Sequence, residues 1–236
     1  MTNPLEAPIA WHRLLGEVLE QLLSPVGLLV HTEQPVMNQP PKADILIIRR
    51  TQVTWTESQR ERLPDGLRDS PASHLLLEFK YTESLTGKAS QQALAYDYCY
   101  KQSHESSESE VQTVLLCAKQ PQADLMIKYG YLKTSLPGVY QSDWLDWQPT
   151  VLLLSLNELS DAPHNAFVKC FARQLQEKRK AFKVLRQFST TDNFPDSLVW
   201  FLTTLWKHWF PSLPCENMKE STLTPEEFNH LSQHWK

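Results

Sequence analysis

The chain lacks the sequence patterns that mark the commonest enzyme classes. Glycine is scarce, with 6 in 236 residues, and no Gly-x-Ser-x-Gly, phosphate-loop or Gly-x-Gly-x-x-Gly pattern occurs. Those patterns build a nucleophile elbow, a triphosphate cradle and a dinucleotide turn, and each needs glycine where backbone and ligand approach closely. Their absence weighs against the common serine hydrolases, nucleoside triphosphatases and dinucleotide-dependent enzymes.

Cysteine pairs and membrane-directed segments are also missing. The four cysteines form no Cys-x-x-Cys pair (Cys99, Cys117, Cys170 and Cys215), and three of them fall in segments with a buried pattern. Reduced thiols in a cytoplasmic protein are therefore the simplest interpretation. The N-terminus lacks a basic region followed by a long apolar run, so we expect no signal peptide. The longest apolar stretch, 198–210, contains Lys207 and His208 and is too short to span a bilayer, so we expect no membrane partner.

The chain has no excess of positive charge. Its formal net charge is −4 and its pI is about 6.1, which counts against a protein that coats nucleic acid. An enzyme with a local basic groove remains compatible with this composition. A basic block lies in the second half (Lys178, Arg179, Lys180, Lys183 and Arg186). A solvated helix face is the usual interpretation of such a block, and phosphate contact is the alternative.

The order of apolar patterns predicts an α/β protein. The first two thirds of the chain contain both predicted helices and predicted strands, in the order of a helix at 9–23, strands at 27–37, 45–48 and 75–80, a helix at 88–101, and strands at 111–118 and 151–156. Helices at 165–188, at 196–210 and from 224 to the end follow. We therefore expect a core over 1–160, with a mixed central sheet flanked by helices, and a helical C-terminal extension over 161–236.

The most informative segment is the predicted strand that ends at Lys80. Strand side chains alternate, so Glu78 and Lys80 share one face while Phe79 points to the other. Charged groups at the end of a buried strand need partners. A metal ion and a phosphate would satisfy both charges, and so would a simple Glu78–Lys80 pair. Gln92 and Tyr96 are four residues apart on the following helix and therefore share a face.

Together with Asp44, which opens the preceding strand, these residues match a known pattern. Asp44, Glu78-x-Lys80 and Gln92-x-x-x-Tyr96 resemble the PD-(D/E)XK nuclease superfamily, and the last element is similar to its RecB-type branch. The wider sequence is similar to bacterial proteins grouped with transposases and recombination-promoting nucleases. The resemblance covers about residues 9–118 and implies a restriction-endonuclease-like fold. Ala43 stands where the family name has proline.

The resemblance also implies roles for individual residues. Asp44 and Glu78 would ligate Mg²⁺ or Mn²⁺, with the Phe79 backbone carbonyl as a further ligand. Lys80 would position the attacking water. The resemblance further implies that Gln92 and Tyr96 support the site or touch the phosphate backbone, and that an acidic residue lies on the first helix, where Glu17 is the first match and Glu20 the second.

The expected function is a Mg²⁺-dependent endonuclease that hydrolyses DNA. The alternative is a catalytically inactive protein of the same fold that binds protein or nucleic acid, with a homodimer through the C-terminal helices as one form. A third possibility is a nucleic-acid binder that uses the basic helix. Each site residue also has an ordinary structural interpretation: Asp44 caps the turn after Pro41, and Gln92 and Tyr96 lie at the edge of the core. A zinc site at His230 and His234 lacks an upstream cysteine pair.

Overall fold

The computed structural model describes residues 42–49, 54–143, 150–189 and 196–212, without the side chains of 188–189 and 196–201. These ranges all belong to one compact unit, Lys42–Lys236. The expected helix at 9–23, the strand at 27–37 and the last helix lie outside the described residues, and so do Glu17, Glu20, His230 and His234.

The described elements follow the predicted order. The strands are β1 (Ile45–Ile48), β2 (His74–Lys80), β3 (Val111–Cys117), β4 (Tyr131–Lys133), β5 (Val139–Ser142) and β6 (Val151–Ser155). The helices are α1 (Glu57–Arg60), α2 (Gly87–His104), α3 (Ala123–Lys128), α4 (Ala166–Lys169), α5 (Leu175–Ser189) and α6 (Asp196–Trp209), and a 3₁₀ turn (Pro163–Asn165) precedes α4. Within the described ranges, no helix is both long and apolar enough to cross a membrane.

The described strands form one mixed sheet in the order β1-β2-β3-β6-β5-β4. The central strands β2, β3 and β6 are parallel, while β1, β5 and β4 each run antiparallel to their neighbours. In the register of β2 with β3, Glu78 lies opposite Leu115 and Lys80 opposite Cys117. The carboxyl ends of the parallel strands therefore meet at one edge, and helices flank the sheet. This confirms the α/β class.

Each face of the sheet packs against a different part of the chain. The face that carries Glu78 and Lys80 packs against α2 and α3 in one apolar cluster (Leu85, Ala93, Leu115, Cys117, Met126 and Leu153). The opposite face packs against the segment between β1 and β2 in a second cluster (Trp55, Leu67, Leu75, Leu77, Leu116 and Leu154). A third cluster joins α4, α5 and α6. Phe171 contacts both the second and the third cluster, so the C-terminal helices are continuous with the sheet's core.

The continuous apolar run at 45–48 predicts a buried strand, and this prediction is wrong. The strand is present as β1, but Ile45, Leu46 and Ile48 are 44%, 41% and 45% exposed. Among the described strands, β1 lies at the end of the order and pairs only with β2. Its apolar residues reflect β propensity, which does not by itself specify burial on both faces.

The single helix predicted over 165–188 is interrupted. The chain leaves helical geometry between α4 and α5, at 170–174. Tertiary hydrogen bonds replace helical ones there: the Arg173 amide donates to the Ala118 carbonyl at 2.9 Å, and the Gln174 amide to Asn157 Oδ1 at 3.0 Å. The chain that follows β3 therefore ties the start of α5 to the carboxyl edge of the sheet.

The long polar segment between the first two described strands is part of the packed core. From residue 54 onward it packs on the sheet face opposite Glu78, with Leu67 only 1% exposed. Asp65 anchors it to the chain after β6, because the Asp65 amide donates to Asn165 Oδ1 at 2.9 Å and Asn165 Nδ2 donates back at 2.8 Å.

Candidate active site

The strand end that carries Glu78 and Lys80 lies beside the first turns of α2. Strand alternation directs both side chains to the face that α2 covers. The helix begins where Thr86 caps it, with the Thr86 hydroxyl accepting from the Ala89 amide at 3.1 Å. Gln92 and Tyr96 lie one and two turns further along, on the helix face that turns toward β2. Local capping and strand periodicity together place the four side chains at one point.

The four side chains form a continuous hydrogen-bonded cluster. Lys80 Nζ lies 2.7 Å from Glu78 Oε1 and 3.1 Å from Gln92 Oε1. Gln92 Nε2 donates to Glu78 Oε1 at 2.9 Å and to Tyr96 Oη at 2.9 Å. The Gln92 amide thus contacts the carboxylate, the ammonium and the phenol at once, and its orientation is determined on both ends.

Asp44 joins this cluster from the neighbouring strand. Its Oδ2 accepts a hydrogen bond from the Phe79 amide at 2.8 Å. The β1–β2 register pairs Ile45 with Leu77, so one position further Asp44 lies level with Glu78. Asp44 therefore contacts the strand end that carries Glu78, in addition to any role in the preceding turn.

The Phe79 carbonyl points toward the same side as Asp44. The Ala118 amide donates to the Lys80 carbonyl at 3.0 Å, so that carbonyl faces β3. Successive carbonyls of a strand point to opposite sides, and the Phe79 carbonyl consequently faces β1. Asp44 and the Phe79 carbonyl thus lie at the junction of β1 and β2, and Glu78 directly precedes Phe79 on β2.

Glu78 is buried with one oxygen unsatisfied. The residue is 5% exposed, and its Oε2 contacts no hydrogen-bond donor among the described residues. Buried carboxylate oxygens without a partner are costly and uncommon. A cation beside Oε2 would remove that cost, so the donor set fits a divalent ion on this side.

The protein supplies few ligands for such an ion. Within the described residues, no group of three or more His, Cys, Asp or Glu side chains could hold a metal. Two carboxylates and a carbonyl suit Mg²⁺, which usually keeps several waters and takes only one or two carboxylates. They do not suit zinc, which prefers nitrogen and sulfur ligands.

A cysteine beside the cluster does not contribute a nucleophile. Cys117 pairs with Lys80 in the β2–β3 register and is fully buried. Burial raises the pKa of the Cys117 thiol to about 12, and the nearby Lys80 charge offsets only part of this. The thiolate is the reactive form of cysteine. The chemistry of the cluster therefore depends on its carboxylates and ammonium.

A second group of polar side chains near this edge was missed by the sequence analysis. Tyr81 directly follows Lys80 and contacts Arg173, which lies between α4 and α5, Lys178 of α5 and Trp209 of α6. For Lys178, the expectation of a solvated helix face is wrong, because this residue is only 2% exposed. Local sequence carried no signal for this contact, since Tyr81 is more than 90 positions from each of its three partners along the chain.

Comparison with known proteins leaves the family open: no family model, no curated protein and no solved structure matches this chain.

Proposed function

We propose that this protein is a Mg²⁺- or Mn²⁺-dependent nuclease with a restriction-endonuclease-like core that hydrolyses phosphodiester bonds in DNA. The observation that carries the proposal is the Glu78–Lys80–Gln92–Tyr96 cluster, with Asp44 beside it, at the carboxyl end of β2. Ligands of open α/β sheets bind at the carboxyl ends of parallel strands. The motif's residues are dispersed over 53 positions of sequence, from 44 to 96, and converge on one point.

The acidic side of the site would hold the cation. Asp44, Glu78 Oε2 and the Phe79 carbonyl would be its protein ligands, with water completing the shell. When bound, the divalent ion would polarise the phosphate and lower the pKa of a bound water. The chain's own part is to present these oxygens from two paired strands, which are more rigid than loops.

Lys80 would orient the attacking water and stabilise developing charge. An ammonium has three donors, and Lys80 uses one on Glu78 and one on Gln92. One donor therefore remains for water or for a phosphate oxygen. Gln92 keeps the ammonium in place, and Tyr96 keeps the Gln92 amide in the orientation that does so. Preorganised donors of this kind stabilise transition-state charge without reorganising.

A catalytically inactive binding protein of the same fold is the second candidate. The observation that favours it is that Glu78 and Lys80 pair with each other, while the described residues supply only two carboxylates. Such a protein would bind a partner or nucleic acid and would hydrolyse nothing.

A plasmid assay with Mg²⁺ or Mn²⁺ tests the proposal. We expect the wild type to nick supercoiled plasmid, and Glu78→Gln and Lys80→Met each to lose about 10²-fold or more of that activity, the usual effect of removing such a group. Glu158→Gln is the matched control, because Glu158 also accepts two side-chain hydrogen bonds, from Gln120 and Tyr140, and neither partner belongs to the motif. Full activity in Glu78→Gln would refute the site. If calorimetry showed that the wild type binds Mg²⁺ and that Glu78→Gln does not, while the wild type cleaved no plasmid, the result would favour the binding protein.

A further inference from the structure

The Tyr81 cluster, formed by Tyr81, Arg173, Lys178 and Trp209, lies where the C-terminal helices meet the end of β2. Tyr81 follows Lys80 directly, so their Cα atoms are about 3.8 Å apart. Its ring stacks on Trp209, with the ring centroids 5.8 Å apart and the planes inclined by 23°. Tyr81 also packs beside Phe79, with the ring centroids 6.1 Å apart, against the apolar cluster of the face opposite to Lys80. The Tyr81 cluster therefore follows the cation of the proposed active site in the chain but lies on the other face of the sheet.

Lys178 is a buried cation with no carboxylate partner among the described residues. Its Nζ lies 3.1 Å from the centroid of the Trp209 ring and donates to Tyr81 Oη at 3.2 Å. The other two buried lysines behave differently: Lys101 pairs with Asp97 and Glu108, and Lys169 pairs with Asp161 and Glu177. Buried charges are normally paired, so the charge of Lys178 is unusual within this protein.

Arg173 adds a second positive charge to the same ring. Its guanidinium carbon lies 5.6 Å from the Tyr81 ring centroid, and the side chain of this exposed residue is held near the sheet by the backbone hydrogen bond to Ala118. Burial, together with the like charge of Arg173, lowers the pKa of Lys178, although its contact with Tyr81 opposes the shift. Lys178 and Arg173 thus both lie beside the Tyr81 ring, and no carboxylate of the described residues contacts either cation.

The Tyr81 hydroxyl retains a hydrogen that it can donate. Its oxygen accepts from Lys178, so its own hydrogen is available, and no described residue accepts it. Beside it, the Arg173 guanidinium offers a planar fork of donors that suits a phosphate. One neutral donor, one exposed cation and one buried cation behind them form an arrangement complementary to a tetrahedral anion.

We propose that Tyr81 and Arg173 bind a backbone phosphate of the DNA beyond the end of β2, on the sheet face opposite to Lys80, with the Lys178 charge behind them. This inference rests on the proposed function and gives the C-terminal helices a part in holding the substrate. Backbone contacts position nucleic acid and carry no sequence information. The contribution of this cluster to affinity should accordingly be the same for different DNA sequences.

A salt titration tests the inference. The full chain would be titrated into a fluorescein-labelled DNA duplex in EDTA, so that no divalent ion supports cleavage, and fluorescence anisotropy would be measured across a range of salt concentrations. We expect Arg173→Gln to weaken binding about tenfold, the usual size of a lost charged hydrogen bond. It should also reduce the slope of log K against log salt by about 1. Tyr81→Phe should weaken binding without changing the slope, because the lost donor is neutral.

Arg179→Gln is the matched control. Arg179 is exposed in α5 and its guanidinium also lies over an aromatic ring, that of Phe210 at 5.2 Å, away from Tyr81. The phosphate site would be overturned if Arg173→Gln bound DNA with the affinity and salt slope of the wild type. It would also be overturned if Arg173→Gln and Arg179→Gln lost equal affinity. Neither result bears on the nuclease proposal, which the plasmid assay decides. A loss specific to Arg173→Gln in a wild type that cleaves no plasmid would support the phosphate site and refute only the nuclease. Absence of DNA binding by the wild type would overturn the phosphate site.

Discussion

The ion pair between Glu78 and Lys80 should be strongly coupled, and a double-mutant cycle would measure that coupling. The side chains of Lys80 and Glu78 are 14% and 7% exposed, with the charged atoms 2.7 Å apart. Removing one partner of a buried pair leaves an uncompensated charge and costs about 3–5 kcal/mol. Gln92 still donates to Glu78 when Lys80 is replaced, so we expect the lower end of that range for Lys80→Met.

The double variant Glu78→Gln/Lys80→Met should lose less stability than the sum of the single variants. It removes both charges together and leaves neutral amides that can bond to each other. We expect a coupling energy of about 2 kcal/mol, within the range measured for contacting residues. For a unit of this size, about 3 kcal/mol for Lys80→Met alone corresponds to a fall in melting temperature of about 6–12 °C.

Urea unfolding at 25 °C, followed by tryptophan fluorescence, would measure the four proteins of the cycle. The exposed pair Arg60–Asp69 is a matched control: its charged atoms are also 2.7 Å apart, but its side chains are 39% and 53% exposed. Its coupling should be about 0–1 kcal/mol. If the Glu78–Lys80 cycle were additive to within about 0.5 kcal/mol, the pair would not be desolvated and the preorganised site would be refuted.

Two further predictions concern the framework that supports the site. Burial alone would raise the pKa of Asp65, but hydrogen bonds outweigh it and hold the pKa below its ordinary 3.8 (donors Asn165, His164 and Ser160). A depressed pKa stabilises the fold at pH values above the pKa of the unfolded chain, and this contribution is lost as the pH falls through the pKa of the folded state. Asp65→Asn should therefore be most destabilising at pH 7 and approach the stability of the wild type below about pH 4. Urea unfolding at both pH values checks this, and a constant difference would contradict it. Gly138 has φ +74°, and an added Cβ would lie 2.5 Å from the Leu159 amide nitrogen. Gly138→Ala should therefore lower the free energy of unfolding by more than about 1 kcal/mol. Gly87→Ala is the control in the same unfolding assay, because its Cβ would meet only the movable end of Tyr129, and equal losses in the two variants would refute the backbone argument.

Much of the candidate site follows from short-range geometry. The alternation of β2 places Glu78 and Lys80 on one face, and the four-residue spacing in α2 places Gln92 and Tyr96 on another. The contacts among these four residues confirm that the two faces meet. Their functional roles stay predictions, as does the division of the chain at residue 160.

Other features could not be predicted because they depend on partners distant in the chain. The strand β1 has the same apolar pattern as a buried strand, and only the strand order shows that it is exposed. The break before α5 is absent from the helical periodicity, because it arises from the hydrogen bonds to Ala118 and Asn157.

The sequence by itself determined the α/β class, the approximate bounds of β1, β2, β3, β6 and α2, and the alternation that separates Glu78 from Phe79. These depend on backbone sterics and on side-chain period, both of which act over a few residues. Only the tertiary structure decided that Asp44 reaches the Phe79 amide, that the segment before β2 covers the opposite face, and that Lys178 is buried against Trp209. Asp44 and Phe79 are 35 positions apart and Lys178 and Trp209 are 31 positions apart, and no local period specifies which distant surfaces pack together.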